Sequence, residues 1–337
     1  MSPPERATVV GAGAWGTALA TVLARNGHDV RIWSYEAHVA DAINAARQNP
    51  YLDGVALPDG IRAEVDLAAA VRGAALVVSA SPSQFVRSVM KQTAEHLEAD
   101  AVLLSATKGI ELGTLLRMDE VLADVLPASA MAGFCVLSGP SFAKEVAAGA
   151  PTAVVIASRD AAVAESARSL FQTSTFRVYT NSDVVGVEIG GALKNVIALA
   201  AGTIAGLGFG HNALAALITR GLAEVTRLGL AVGAERATFY GLAGLGDLVL
   251  TCTGSLSRNR TVGYRLGRGE SLEEILSDMS AVAEGVKTTE VARELARRHG
   301  VEMPITEQMY AILYEGRRPD DALRALMSRD PKPEEWT

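Results

Sequence analysis

The stretch Gly190-Gly191-Ala192-Leu193-Lys194-Asn195-Val196-Ile197 sets a lysine among apolar and very small residues. An amine so placed is desolvated, which disfavours its charged form and brings a neutral amine within reach. A base that takes a proton from an alcohol needs that property, and Asn195 adds a donor and an acceptor beside it. A lysine that snorkels from a helix edge accounts for the same residues. A second lysine stands in Thr107-Lys108-Gly109, directly after an apolar run. If Lys108 and Lys194 share a pocket, they attract an anion or polarise a carbonyl oxygen together; alone, Lys108 is an ordinary loop charge. Asp247 lies among glycines and apolar residues over 241–253. Burial without a partner would be costly there. A lysine resolves that cost, an N-cap of a short helix from Leu248 is the other use of the residue, and the two roles are compatible. Ser257-Arg258-Asn259-Arg260 opens a helical run. A hydroxyl, a guanidinium fork and free helix N-terminal amides make a phosphate cradle; a capped, solvated basic turn is the plainer account.

A ligand for this chemistry is suggested far upstream, in Ala7-Thr8-Val9-Val10-Gly11-Ala12-Gly13-Ala14-Trp15-Gly16. Gly11, Gly13 and Gly16 have G-x-G-x-x-G spacing between an apolar run and a helical one, with Asn26-Gly27 as the helix stop. Gly11 permits the tight turn, Gly13 lets a pyrophosphate approach the backbone, and Gly16 lets helix and strand pack closely. An ordinary glycine-rich turn is the alternative. An acidic residue at the end of the second strand marks an NAD site. That place reads Trp33-Ser34-Tyr35-Glu36, with Glu36 slightly late and no arginine for a 2′-phosphate. A helix-start carboxylate explains Glu36 equally well. NADP, NAD or both are therefore expected, with NADPH slightly ahead, and no metal.

The elements that must position these residues follow a simple order. Strand patterns at 8–10, 30–33, 76–80, 102–106, 135–138, 153–157 and 176–179 alternate with helical ones such as 37–46 and 83–95. The pattern predicts a Rossmann-type α/β domain over 1–182, with a mostly parallel sheet whose strand ends carry the ligand. From 183 to 337 the periods are helical, at 184–205, 213–228, 236–240, 258–266, 272–278, 288–299, 305–314 and 320–327. That region is predicted to be an all-α substrate and catalytic domain. No Pro- or Ser-rich linker marks the change.

The 337 residues suit two domains, and 49% hydrophobic content gives ample burial. A net charge of −7 argues against a nucleic-acid surface. Cys135 and Cys252 make no disulfide framework or metal site, which suits a reducing cytoplasm. The N-terminus has no secretory pattern. The longest apolar stretch, 196–210, is shorter than the roughly 20 residues of a bilayer span. It reads as a core helix rather than an integral membrane segment, with Gly202, Gly206 and Gly210 spaced to admit a neighbour. A homodimer is compatible with the chain.

Six blocks together resemble the bacterial-type NAD(P)-dependent glycerol-3-phosphate dehydrogenases. They are Gly11-Ala-Gly-Ala-Trp-Gly16, Ala106-Thr-Lys-Gly109, Ser138-Gly-Pro-Ser-Phe-Ala-Lys-Glu145, Gly190-Gly-Ala-Leu-Lys-Asn-Val196, Gly244-Leu-Gly-Asp-Leu248 and Ser257-Arg-Asn-Arg260. The resemblance implies reversible hydride transfer between glycerone phosphate and sn-glycerol 3-phosphate, a product for phospholipid synthesis. It makes Lys194 the general acid/base on the substrate C2 oxygen and sets Lys108 against substrate and cofactor. It puts Gly139, Ser141, Asn195, Asp247, Ser257, Arg258 and Asn259 about the small phosphorylated substrate, Asp247 supporting the lysines. Gly11, Gly13, Ala14, Trp15, Gly16, Tyr35, Ala143, Arg258, Val282 and Glu284 then hold the nucleotide. Two residues depart from the family pattern: Ala14 stands where relatives often have Ser, and Tyr35 where many have a basic residue or histidine. The same architecture would also serve a 3-hydroxyacid or 6-phosphogluconate-type dehydrogenase, or a nucleotide sensor without chemistry.

Overall fold

In the first strand, β1 (Arg6–Val10), residues 7–10 are all buried, as a strand covered on both faces requires. The computed structural model describes residues 5–279 and 283–334. After β1 come β2 (Asp29–Trp33), β3 (Ile61–Glu64), β4 (Leu76–Ser79), β5 (Val102–Ser105), β6 (Phe134–Ser138), β7 (Thr152–Ala157) and β8 (Phe176–Asn181). They form one sheet in the order β3-β2-β1-β4-β5-β6-β7-β8. All neighbours pair parallel except β6 with β7. The turns after β1, β4, β5 and β6 therefore open on one edge, and the reversal of strand order between β1 and β4 makes the crevice there.

Strand β3 has no counterpart among the seven sequence-predicted strands. Ile61 and Ala63 are buried while Arg62 is exposed. Four residues with two charges are too short an alternation for the pattern to stand out. The helix expected over 83–95 is a 3-10 turn, Ser83–Phe85, and a short helix, Val86–Lys91. Thr93 then donates its hydroxyl to the Met90 carbonyl (2.7 Å), a local bond that competes with further helix.

From residue 184 onward the described elements are helical. The helix Val184–Gly206 carries Lys194 and spans 23 residues, ending one residue beyond the helical pattern 184–205. By length and composition it could cross a bilayer, yet 94% of its most apolar stretch is buried inside the fold. It is a core helix. A Cβ on Gly202 would stand 2.0 Å from the Arg260 carbonyl oxygen, and one on Gly263 would stand 1.9 Å from that of Leu199. Glycines facing glycines thus let helix Arg258–Gly267 lie backbone to backbone on the lysine helix. Gly210 takes no part: it precedes helix His211–Ala231, and a Cβ there would meet nothing within 4 Å.

The chain forms two compact units, residues 1–111 with 116–188, and residues 112–115 with 189–337. The division falls a turn inside the lysine helix, and Glu188, near its start, accepts a hydrogen bond from the Asp119 amide (3.0 Å).

Candidate active site

In the first unit, the turn after β1 is shaped by backbone approach. Gly11 has φ +125°, and a Cβ on it would stand 2.9 Å from the Ala80 carbonyl. A Cβ on Gly16 would fall 2.0 Å from the Gly11 oxygen, so the helix Ala14–Arg25 starts against the turn itself. Gly13 faces open space and no side chain caps that helix. Uncapped N-terminal amides beside an open glycine fit a pyrophosphate. The Trp15 Nε1 is buried without a protein acceptor, a donor suited to a ligand. Ala14 is the first residue of that helix.

Lys108 and Ser141 meet at the next strand ends. Both donate to the Gly139 carbonyl, Lys108 Nζ at 3.2 Å and Ser141 Oγ at 3.0 Å. The Lys108 ammonium also stands 5.8 Å from the Trp15 ring centre, within cation–π range. Ala143 begins the helix Ala143–Ala148. Tyr35 is 88% exposed, with its ring edge-on to Trp33. The turn also depends on a residue that the sequence motifs did not single out. Asn49 donates to the Ala12 carbonyl (2.9 Å) and to Thr17 Oγ1 (2.7 Å), while its Oδ1 accepts from the Tyr51 amide (2.8 Å). The dipeptide Asn49-Pro50 is a turn signal in sequence, but nothing in it points to the glycine loop.

In the second unit, Lys194 is 7% exposed and Asp247 1%. Their side chains form a direct ion pair. Lys194 is therefore not a snorkelling surface residue. Asp247 is not an N-cap either: the helix starts at Asp247 itself, behind Gly246, and the carboxylate serves the lysine. Each charge would lose several kcal/mol of hydration if buried alone, and the pair offsets that loss. Glycine makes the approach possible. Gly190 lies one turn before Lys194 on the same face, and a Cβ there would stand 2.7 Å from the Ala243 oxygen. Residues Leu242–Gly246 wind as a wide π-helical turn that delivers Asp247. Cys252, nearby, is no nucleophile, because burial pushes its thiol up to about 12.

The turn before helix Arg258–Gly267 is capped, as both sequence accounts of it require. Ser257 caps helix Arg258–Gly267, accepting from the Arg260 amide at 3.2 Å, and Arg258 is exposed at the first helical position. Asn259 ties this turn to the lysine helix: its Nδ2 donates to Asn195 Oδ1 (2.9 Å) and its Oδ1 accepts from the Gly285 amide (3.0 Å). Glu284 begins the helix Glu284–Arg298, four residues before the expected start. Val282 lies outside the described residues. Lys194, Asn195, Asp247, Ser257, Arg258 and Asn259 are thus brought together in the second unit. Gly11, Trp15, Lys108, Gly139 and Ser141 are gathered in the first. Among the described residues no group of three or more His, Cys, Asp or Glu side chains is arranged to hold a metal ion.

Comparison with known proteins gives a consistent result. The family model for the NAD-dependent glycerol-3-phosphate dehydrogenase N-terminus matches residues 6–164, and that for the C-terminus matches 183–324. A glycerol-3-phosphate dehydrogenase [NAD(P)+] of Geobacter sulfurreducens is 57% identical over 333 residues, covering 98% of this chain and 99% of that protein. Its counterpart in Streptomyces griseus is 53% identical over 337 residues, covering 99% of each. The crystal structure of the glycerol-3-phosphate dehydrogenase of Coxiella burnetii superposes with a TM-score of 0.91 at 40% identity, covering 97% of this chain and 99% of that one.

Proposed function

The chain belongs to the NAD-dependent glycerol-3-phosphate dehydrogenase family, and from that premise we propose that Lys194 is its general acid/base and that the Ser257–Asn259 turn anchors the substrate phosphate. It is an NAD(P)-dependent oxidoreductase that interconverts glycerone phosphate and sn-glycerol 3-phosphate. Membership sets aside the hydroxy-acid and non-catalytic readings.

The single observation that carries the mechanism is the buried Lys194–Asp247 pair beside the Asn195–Asn259 link. When bound, the nicotinamide supplies the hydride that reduces the carbonyl carbon C2. Negative charge then develops on the C2 oxygen, and the Lys194 ammonium stabilises it and gives it a proton. In the oxidising direction Lys194 takes the proton back. Asp247 compensates the ammonium in a site from which water is largely excluded. The phosphate sits remote from the reacting carbon, so binding it with Ser257, Arg258 and the first amides of that helix fixes orientation. Lys108, Gly139 and Ser141 are proposed to contact substrate, Lys108 also the cofactor. Gly11, Gly13, Ala14, Trp15, Gly16, Tyr35, Ala143, Val282 and Glu284 are proposed to hold the nucleotide. We also propose a cytoplasmic homodimer whose product supplies phospholipid synthesis.

The test is nucleotide oxidation by the purified protein with glycerone phosphate or with unphosphorylated glycerone, followed by absorbance. The proposal expects kcat/KM for the phosphorylated substrate to exceed the other by at least about 100-fold. Equal use of the two would contradict the cradle, and faster turnover of a keto acid would contradict the substrate.

A further inference from the structure

We propose that Glu36, held by Tyr51, makes this chain select NAD(H) over NADP(H). The reading rests on the glycine turn as the nucleotide site, and it is independent of the role given to Lys194. Glu36 stands just beyond β2, where an acidic side chain reads the adenosine ribose in dinucleotide folds. It flanks the helix Ala37–Ala46, yet its side chain does not cap that helix. Both carboxylate oxygens instead lie 2.8 Å from the Tyr51 hydroxyl, whose single proton is shared between them. The backbone is fixed as well: Ser34 Oγ donates to the Glu36 carbonyl at 2.9 Å, and the Ser34 amide to that of Glu64 at 2.9 Å.

Tyr51 lies in the one-turn 3-10 helix Pro50–Leu52, led by Asn49. Asn49 is the residue that grips Ala12 and Thr17 in the glycine turn. One short turn therefore holds both the place for the pyrophosphate and the carboxylate at the ribose end. Among the described residues no cation is paired with Glu36, and its neighbour Tyr35 presents an exposed, uncharged phenol. A carboxylate accepts a hydrogen bond from a free ribose hydroxyl. It repels a 2′-phosphate, and the stretch 33–36 that follows β2 holds no arginine to receive that charge. This reverses the slight preference for NADPH expected from sequence.

The test is calorimetric titration of the full-length protein with NADH and with NADPH, for the wild type, Glu36→Gln and Tyr51→Phe. Wild type is expected to bind NADH at least about 10-fold more tightly, in keeping with a like-charge contact partly screened by solvent. Glu36→Gln is expected to bring the two constants within about 3-fold, mainly by tightening NADPH. Tyr51→Phe frees the carboxylate and narrows the ratio in part. A merely structural defect weakens both nucleotides alike. An unchanged ratio in Glu36→Gln, or a wild type that prefers NADPH, would overturn the selection role while leaving the nucleotide site intact. Failure of wild type to bind either nucleotide would overturn the site reading itself.

Discussion

Lys194 and Asp247 are each unfavourable to bury alone and stable together. Asp247→Asn keeps the shape and removes the counter-charge. We expect the variant to lose roughly 3 kcal/mol of stability, seen by chemical denaturation. We also expect the pH profile of kcat to move toward lower pH, since an uncompensated ammonium gives up its proton more readily. A kcat profile that stays in place would separate Asp247 from the proton transfer. The lysine was legible in sequence because tiny and apolar neighbours announced its burial. The use of Asp247 was only half legible. Its neighbours announced burial, but whether the carboxylate capped a helix or met the lysine depended on where the π-helical turn Leu242–Gly246 ended.

At the scale of elements, the cradle is placed by glycine contacts between two helices. Gly263→Ala would drive a Cβ into the Leu199 carbonyl oxygen, 1.9 Å away, so the helices must part. We expect a loss of about 3 kcal/mol or more, since overpacking against backbone has no side chain to yield. Thermal denaturation measures this. We further expect KM for glycerone phosphate to rise more than that for the nucleotide, because the Asn195–Asn259 link crosses the same seam. An equal rise in both would argue against the link. The spacing of Gly202 and Gly206 foretold a close neighbour. It could not say which helix came, nor that Gly210 would serve a different helix.

For the whole molecule, the buried Glu224 couples the fold to pH. Its carboxylate on helix His211–Ala231 accepts from the Ile305 amide (2.6 Å) and the Thr306 amide (3.3 Å) at the start of helix Pro304–Tyr314. Burial outweighs these donors and pushes the carboxyl up from 4.5 to about 7. Between those values the folded state binds the extra proton, so stability falls as pH rises from 4.5 through 7, by up to about 3 kcal/mol. Denaturant titrations at pH 5 and pH 8 should show a larger drop in wild type than in Glu224→Gln; equal drops would contradict this. The parallel sheet and its ligand edge were legible because continuous apolar runs ended in glycine or lysine turns. The short strand β3, with Arg62 and Glu64 in four residues, was not, since edge pairing rather than composition makes it a strand. Asn49 was missed for the same reason: its partners in the glycine turn are more than 30 residues away.

If Lys194 moves the proton, its loss must separate turnover from nucleotide binding. The direct measurement compares Lys194→Ala with wild type in two assays, nucleotide binding by calorimetry and glycerone phosphate reduction by absorbance. The variant is expected to keep a nucleotide dissociation constant within about 3-fold of wild type and to lose at least about 100-fold in kcat. Near-normal kcat in a variant that still binds the nucleotide would contradict it.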